Sequence, residues 1–290
     1  MNRGIAYALS AYIFWGLHPI YWKQLQTLPA SEIVAHRIVW SLIFFLFVIS
    51  LCRQWPGLIR KIRTNKTRWI LYVPALLIGS NWAMYIWAVN AGFIIETSLG
   101  YFISPLVSVF WGVYLLKEKL QKIQWAAIMI VCGGVLVMTF VYGQFPWIAL
   151  FLAGTWGTYG LLRKKSPLTA VEGLLLETAI LSIPALYYLL YLGFNASFSF
   201  MSDLKISLLL ACTGILSGLP LIIYISGARL INLSLIGILQ YIYPTIIFLI
   251  GYFIYDEPMN EARFIGFIFI WVAIALYTLG NKFNLQANNR

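Results

Sequence analysis

Continuous apolar runs of about 20 residues recur along the whole chain, and they restrict its fold more than any other feature. A transmembrane α-helix needs about 20 apolar residues, whereas a strand of a membrane β-barrel is shorter and alternates apolar with polar residues. Only 10% of the 290 residues are charged, against about 25% in an average soluble domain. The runs therefore predict an all-α integral membrane protein and exclude most classes of soluble enzyme.

Ten such segments fill the chain and leave no room for a soluble domain. The connections between them are short, so successive helices are expected to run antiparallel. The predicted transmembrane segments are 4–22, 33–51, 69–91, 97–116, 124–142, 145–162, 171–193, 206–228, 233–254 and 263–281.

Lys and Arg are distributed unevenly between the two sides that these segments define. With the N-terminus placed inside, sixteen of the twenty basic residues are assigned to the inner side. The four assigned to the outer side are Lys23, Arg37, Lys205 and Arg229. The positive-inside rule then predicts that both termini are cytoplasmic. It also accounts for the net charge of +11 without a nucleic-acid partner.

The two halves of the sequence resemble each other. A shift of 139 residues places Pro105 on Pro244, Gly112 on Gly251 and Glu118 on Glu257, and a shift of 141 places Trp15-Gly16 on Trp156-Gly157. The predicted repeats are residues 1–142 and 143–290, each with five helices. Because five is odd, the repeats should enter the membrane in opposite directions. Inverted repeats of this kind are typical of secondary transporters whose substrate site lies between the halves.

Several short motifs span nearly the whole chain. They are Ala-Tyr-Ile-Phe-Trp-Gly (11–16), Glu-Ile-Val-Ala-His-Arg-Ile-Val-Trp-Ser (32–41), Gly-Ser-Asn-Trp (79–82), Trp-Ala-Val-Asn (87–90), Glu-Thr-Ser-Leu-Gly-Tyr-Phe-Ile-Ser-Pro-Leu (96–106), Tyr-Gly-Leu-Leu-Arg-Lys-Lys (159–165) and Gln-Tyr-Ile-Tyr-Pro-Thr (240–245). With these motifs the chain resembles the EamA branch of the drug/metabolite transporter superfamily, and within it the RarD-type permeases. The resemblance implies a ten-helix permease of the bacterial cytoplasmic (inner) membrane with the drug/metabolite transporter fold. Members are commonly named for chloramphenicol sensitivity or resistance. Asn81 stands where the repeat places Pro220, so the halves are not expected to be functionally equivalent.

His36 and Arg37 lie about one turn inside the second predicted helix. A charge near the membrane centre costs about 2.5–3.5 kcal/mol on insertion scales, so such groups usually face a cavity or a partner. Arg37 either extends to the outer headgroups or holds an anionic or dipolar group of a substrate. Adjacent helical residues point about 100° apart, so at most one of the pair faces the site directly. Arg37 is favoured because a guanidinium binds carboxylates through two parallel hydrogen bonds.

Polar and aromatic residues are concentrated in the third predicted helix and the start of the fourth. They are Asn81, Trp82, Tyr85, Asn90 and Tyr101. Trp82 and Tyr85 are three residues apart, which places both rings on one helix face. Such a stripe is either packing or an interface belt, or it lines a cavity for an amphiphilic or cationic ligand. We include these residues in the predicted substrate cavity.

Three charged residues are predicted to act in coupling or gating. Glu96, at the outer end of the fourth helix, either complements the helix dipole or pairs with Arg37 or Arg229 to close an outer gate. Arg229 is assigned to the outer end of the eighth helix. Glu177 lies about seven residues into the seventh helix with no charged neighbour nearer than Glu172. Desolvation there disfavours the carboxylate, so Glu177 is either a proton-coupling acid or a structural partner of a buried Arg or of backbone amides.

The fourth and ninth helices are the equivalent pair of the repeat, so a site between them at mid-membrane is expected. Gln240 and Tyr241 precede Pro244, whose ring removes a backbone donor and frees a carbonyl. Pro105 and Pro244 are predicted to loosen the two helices where they line the cavity.

Other classes of function lack their sequence signals. There is no Walker motif, and three Cys and two His residues form no metal-binding pattern, so neither a cofactor nor a metal is expected. The predicted function is a secondary transporter, taken as an exporter by family, of a small metabolite or amphiphilic drug. It would be a monomer or weak dimer with possible proton coupling. The alternatives are an integral membrane enzyme acting on a lipid, a channel, and a membrane sensor that transports nothing.

Overall fold

A computed structural model describes residues 2–64, 69–91, 93–195, 199–200, 203–255 and 264–277 without 267 and 270. The helices with complete bounds are α1 (Arg3–Trp22), α2 (Ala30–Leu51), α3 (Trp55–Thr64), α4 (Trp69–Asn90), α5 (Ile94–Leu116), α6 (Lys122–Tyr142), α7 (Trp147–Lys165), α8 (Ala170–Phe194), α9 (Leu204–Ala228), α10 (Leu233–Gln240) and α11 (Ile242–Ile254). A 3₁₀ turn, Lys23–Leu25, follows α1.

The described part of the chain is helical and contains no strand, which confirms the predicted fold class. Helices coincide with the first nine predicted segments, and the tenth is helical where it is described. By length and apolar composition alone, five helices of the described residues are sufficient to cross a membrane. They are Ala30–Leu51, Leu99–Leu116, Ala170–Phe194, Leu204–Ala228 and Leu233–Ile254.

The ninth predicted helix is divided into two pieces. Its first piece, α10, ends at Gln240, and α11 begins at Ile242. Pro244 has no N–H to donate to the carbonyl of Gln240, four residues earlier, so the helical hydrogen-bond ladder is interrupted there. Pro105, its counterpart in α5, leaves that helix continuous from Ile94 to Leu116.

A short amphipathic helix, α3, occupies the connection for which no element is predicted. Leu58 is buried in the core, while Lys61 reaches across the bundle to the carboxylate of Glu172 at 2.6 Å. A search for apolar runs misses α3 because a ten-residue helix with one buried side is too short and too polar to resemble a membrane span.

The two ends of the bundle are distinguished by the contacts among helix termini. At the end that holds the N-terminus, Lys164 at the end of α7 donates to the carbonyl of Ala228 at the end of α9 (2.7 Å). At the other end, Glu32 near the start of α2 accepts from the N–H of Ser199 (2.8 Å). We call these the N-terminal end and the distal end. The chain enters α1 at the N-terminal end and α7 at the distal end, so these two helices run in opposite directions.

Small residues let helices of the two halves approach closely. α1 packs against α10 and α11, and α5 packs against α7. A Cβ on Gly16 of α1 would lie 2.7 Å from Ile246 Cβ, and one on Gly157 of α7 would lie 2.6 Å from Val107 Cγ1. Both glycines therefore sit where only a hydrogen fits, directly after the Trp of each Trp-Gly pair.

Candidate functional site

A cavity of about 760 Å³ lies between helices of the first and second halves of the chain. Cavities of about 300–1,000 Å³ accommodate drug-sized ligands. Its wall is formed by α1, α2, α4 and α5 from the first half and by α7, α9, α10 and α11 from the second. Trp22, Lys23, Gln26 and Tyr252 continue the wall towards the distal end.

Two tryptophans form the aromatic base of the cavity. Trp15 and Trp156 meet edge to face with ring centroids 5.6 Å apart, and Tyr224 lies against both, 5.5 and 5.6 Å away. Trp15 and Trp156 line the cavity, yet in the sequence they serve only as markers of the repeat. The Trp-Gly pair itself could have identified them as site residues. The glycine of each pair packs against a helix of the other half, and the adjacent tryptophan points in another direction, into the cavity between the halves.

Arg37 enters the cavity from α2 and lies on the face of Trp82, with its guanidinium carbon 4.1 Å from the ring centroid. Its Nε is buried and has no hydrogen-bond partner in the part of the chain that the structure describes. Neither of the two ion pairs found among the described residues includes Arg37.

Three tyrosines form a connected group on the same wall. The rings of Tyr85 and Tyr101 have centroids 6.1 Å apart, and those of Tyr101 and Tyr243 are 5.4 Å apart. All three line the cavity. Tyr243 was not among the predicted site residues, although it belongs to the same short motif as Gln240.

Three polar side chains at the wall differ in how their atoms are used. Asn81 donates to the carbonyl of Leu152 (2.9 Å) and to Thr155 Oγ1 (2.8 Å), so its amide ties α4 to α7. Gln240 Oε1 and Ser217 Oγ are buried, line the cavity and have no hydrogen-bond partner in the described part of the chain. These two atoms are available to a bound molecule.

Seven predicted residues line the cavity: Arg37, Asn81, Trp82, Tyr85, Tyr101, Gln240 and Pro244. His36 and Tyr241, which are also among the predicted site residues, do not line it. The His36 ring stacks on Phe200, 5.1 Å away, and the Tyr241 hydroxyl donates to the carbonyl of Phe102. Adjacent helical residues point about 100° apart, and here His36 and Tyr241 point towards Phe200 and Phe102 while Arg37 and Gln240 line the cavity. The side chain of Asn90 and the whole of Glu257 lie outside the described residues.

The predicted gate residues lie apart from one another. Glu96 accepts a hydrogen bond from the N–H of Ile148 (2.7 Å) and so caps the start of α7 at the distal end. Arg229 donates to the carbonyl of Leu168, just beyond the other end of α7. A helix of 19 residues is about 28 Å long. Arg229 therefore lies at the N-terminal end, towards which α9 runs, and does not pair with Glu96 at the distal end.

Pro105 is a packing position, not a cavity residue. A Cβ on Gly237 of α10 would lie 2.6 Å from the Pro105 carbonyl oxygen. The backbones of α5 and α10 consequently make close contact beside the cavity.

Glu177 is buried outside the cavity, and it is not the lone carboxylate that the sequence predicts. Glu177 Oε1 lies 3.4 Å from Arg163 Nε, and Tyr159 donates to Oε2 at 2.9 Å. Arg163 also donates to the carbonyls of Thr169 and Ala170. Arg163 lies fourteen positions earlier, and the antiparallel turn between α7 and α8 brings the two together. This arrangement matches the structural alternative considered for Glu177.

Comparison with known proteins places the chain in a family. The EamA-like transporter family matches residues 2–140. RarD of Escherichia coli (strain K12) is 39% identical over 96% of this chain and 94% of its own length. The chain belongs to the EamA-like transporter family.

Other relatives show that this EamA protein is of the RarD type. The uncharacterized transporter YojE of Bacillus subtilis (strain 168) is 43% identical over 96% of this chain and 94% of its own length. The chloramphenicol-sensitive protein RarD of Pseudomonas aeruginosa is 31% identical over 95% and 93%. A protein solved by crystallography, 20% identical, has the same fold, with a TM-score of 0.72 over 96% of this chain and 98% of that one. The protein is thus a multi-pass membrane transporter of the bacterial inner membrane.

Proposed function

We propose that this RarD-type EamA protein is a secondary carrier that moves a small metabolite or amphiphilic drug by alternating access between two inverted repeats, residues 1–142 and 143–290. The observation that carries the proposal is the cavity between the halves, to which both contribute residues. Opposite directions of α1 and α7 support the inversion. So does the pairing of Gly16 with Ile246 and of Gly157 with Val107, because 107 and 246 differ by the 139 residues of the sequence repeat.

Contacts between the halves close the N-terminal end. Glu118 at the end of α5 accepts from the N–H groups of Leu233 and Ser234 at the start of α10 (2.6 and 2.9 Å). Lys61 and Glu172 form an ion pair across the same end. The cavity wall continues instead to the distal end. In our proposal this is the distal-facing conformation, and transport requires these contacts to break as the halves rock.

A second set of contacts lies at the distal end. Glu32 of α2 accepts from the N–H and the hydroxyl of Ser199 (2.8 and 3.0 Å), which lies between α8 and α9. Glu32 and Glu172 occupy the third positions of α2 and α8, which are equivalent helices of the proposed repeats. Glu32 thus contacts the connection that follows α8, and Glu172 contacts the connection that follows α2. The two contacts lie at opposite ends of the bundle.

Transport energy would come from a gradient, since the sequence has no nucleotide-binding motif. We propose a cytoplasmic N-terminal end on the basis of the positive-inside rule, and export as the direction.

The experiment is counterflow in liposomes. Purified protein is first screened by thermal shift with metabolites and antibiotics, including chloramphenicol, because a ligand that binds the folded state raises the melting temperature with concentration. A labelled hit is then added outside liposomes loaded with the unlabelled compound. A carrier accumulates label transiently, whereas a sensor binds the compound without flux and a channel shows no counterflow. Protein-free liposomes are the control.

A further inference from the structure

The charged groups at the cavity wall are all cationic. Among the described residues that line it, Arg37 and Lys23 carry charge and none is an Asp or Glu. Lys23, at the distal end of the wall, lies 4.5 Å from the ring centroid of Tyr255. A bound cation would therefore meet positive charge and no carboxylate.

The guanidinium of Arg37 contains a buried donor, Nε, for which the described residues offer no acceptor. Trp82 occupies one face of this guanidinium, and neither ion pair among the described residues includes it. A buried donor without a partner is costly, and an unpaired cation more so. Stacking on Trp82 fixes the plane of the guanidinium and leaves its edge for ligand. Arg is suited to planar groups with two acceptors, such as a carboxylate.

The rest of the wall combines aromatic and aliphatic side chains with neutral polar groups, two of which have a buried atom without a partner among the described residues. Trp15, Trp156 and the tyrosine group provide flat apolar surface. Gln240 Oε1 can accept a hydrogen bond and Ser217 Oγ can donate or accept one, and both atoms are buried without a partner among the described residues.

We propose, building on the carrier function above, that the cavity binds small organic carboxylates with an aromatic or apolar body. The carboxylate pairs with Arg37, the body packs on the aromatic wall, and Gln240 and Ser217 bind a neutral polar group. This excludes the cationic ligands that an aromatic cavity also suits in principle, because Arg37 already takes the cation position on Trp82.

The test compares matched probes on the full-length protein in phosphatidylcholine nanodiscs. Benzoate, 3-phenylpropanoate and indole-3-acetate are each paired with the corresponding amide, and 3-phenylpropylamine is the cationic probe. We expect at least one carboxylate to bind about tenfold or more tightly than its amide, and the amine not to bind, as measured by calorimetry at neutral pH. Equal binding of carboxylate and amide, or binding by none of the carboxylates, overturns the proposal.

Variants assign the preference to Arg37. Arg37→Met should abolish the difference between carboxylate and amide, and Arg37→Lys should keep the difference with weaker binding. Lys205→Met removes an equal charge from an exposed position and should change neither. If gel filtration shows that Arg37→Met is unfolded, the result for Arg37→Lys decides whether Arg37 causes the preference: weaker binding with the preference retained supports it, and unchanged binding contradicts it. Loss of the preference in Lys205→Met, or its survival in a folded Arg37→Met, contradicts the assignment.

Two further measurements separate the possible failures. Competition by phosphatidylglycerol added to the nanodiscs would assign Arg37 to a lipid phosphate and overturn a small-molecule site. In the counterflow assay, carboxylate binding without flux retains the anion site and overturns the carrier. Flux of the amide or the amine without preference for the carboxylate retains the carrier and overturns the anion class.

Discussion

Tyr241 donates a hydrogen bond from its hydroxyl to the backbone carbonyl of Phe102 at 2.8 Å, and the two positions are 139 residues apart. The same spacing superimposes the halves of the sequence. In the two-fold arrangement that we propose, a contact between equivalent positions lies close to the axis. The bond joins α5 to the break between α10 and α11, beside the cavity that Phe102 lines.

Tyr241→Phe removes this hydroxyl and should lower stability more than it affects binding. One buried hydrogen bond contributes about 0.5–1.5 kcal/mol. For a chain of this size, we expect the melting temperature to fall by about 2–4 °C per kcal/mol. Tyr243→Phe, two residues on, is the matched control. Because Tyr243 lines the cavity, we expect a change in ligand affinity there. A loss of ligand affinity in Tyr241→Phe without a fall in melting temperature would contradict the assignment of Tyr241 to stability and of Tyr243 to binding.

The helices were predictable because membrane insertion requires long apolar runs, and such a run can be recognised in the sequence without knowing which helices pack against it. The direction of a side chain within a helix was predictable only in part. For His36 and Arg37, the 100° rule allowed one inward residue, and the chemistry of the guanidinium selected the correct one. No such rule identifies what an outward residue touches, so the stacking of His36 on Phe200 was not foreseen.

The partner of Glu177 could not be predicted because it depends on the exact turn between two helices. Arg163 is grouped in the sequence with Lys164 and Lys165, and a basic cluster at a helix end is typical of a solvated membrane boundary. In the structure Arg163 is instead among the most buried side chains. The position of Arg229, by contrast, was predictable: ten antiparallel helices with the N-terminus inside already place the connection after the eighth helix on the inner side.

Gly157→Ala tests the close contact between α7 and α5. The new Cβ would lie 2.6 Å from Val107 Cγ1, so the helices must move apart. Overpacking of this kind costs about 1–3 kcal/mol, which should appear as a lower melting temperature. Gly154→Ala, one turn earlier in the same helix, is the control, because a Cβ at that position would meet no atom within 4 Å. We expect Gly154→Ala to be neutral or stabilising, since alanine favours helix. Equal destabilisation by both would show that packing on Val107 is not the cause.

Glu177→Gln separates the structural role from proton coupling. Removing one partner of a buried ion pair costs about 3–5 kcal/mol, because Arg163 would be left without its counter-charge. We therefore expect a lower melting temperature, with transport by the folded fraction still dependent on an imposed pH gradient. Measurement requires thermal unfolding together with gradient-driven uptake in liposomes.

The double variant Arg163→Met with Glu177→Leu is the control for Glu177. It removes both charges, so it should be more stable than Glu177→Gln alone. Loss of gradient-driven accumulation in Glu177→Gln, with binding and exchange retained, would instead assign Glu177 to coupling.

Cysteine labelling tests the orientation of the bundle. Arg60 of α3 and Lys205 at the start of α9 are exposed at opposite ends. In a background with Cys52, Cys132 and Cys212 replaced by Ser, we expect Arg60→Cys to react with an impermeant maleimide only after the membrane is permeabilised. Lys205→Cys should react in intact spheroplasts. Reaction of both from one side would contradict the predicted topology and the opposite directions of the halves.

Cross-linking the N-terminal end should stop transport without abolishing binding. Lys61 and Glu172 pair across the halves at that end, and their separation must increase when the cavity opens there. In the same cysteine-free background, Lys61→Cys with Glu172→Cys is treated with a short bifunctional maleimide. We expect counterflow to fall to the level of protein-free liposomes, while a ligand added from the distal side still raises the melting temperature. Each single cysteine variant, treated identically, should keep its own untreated rate, which corrects for the lost ion pair. Full counterflow in the cross-linked protein would contradict alternating access, because the end that must open would be covalently closed.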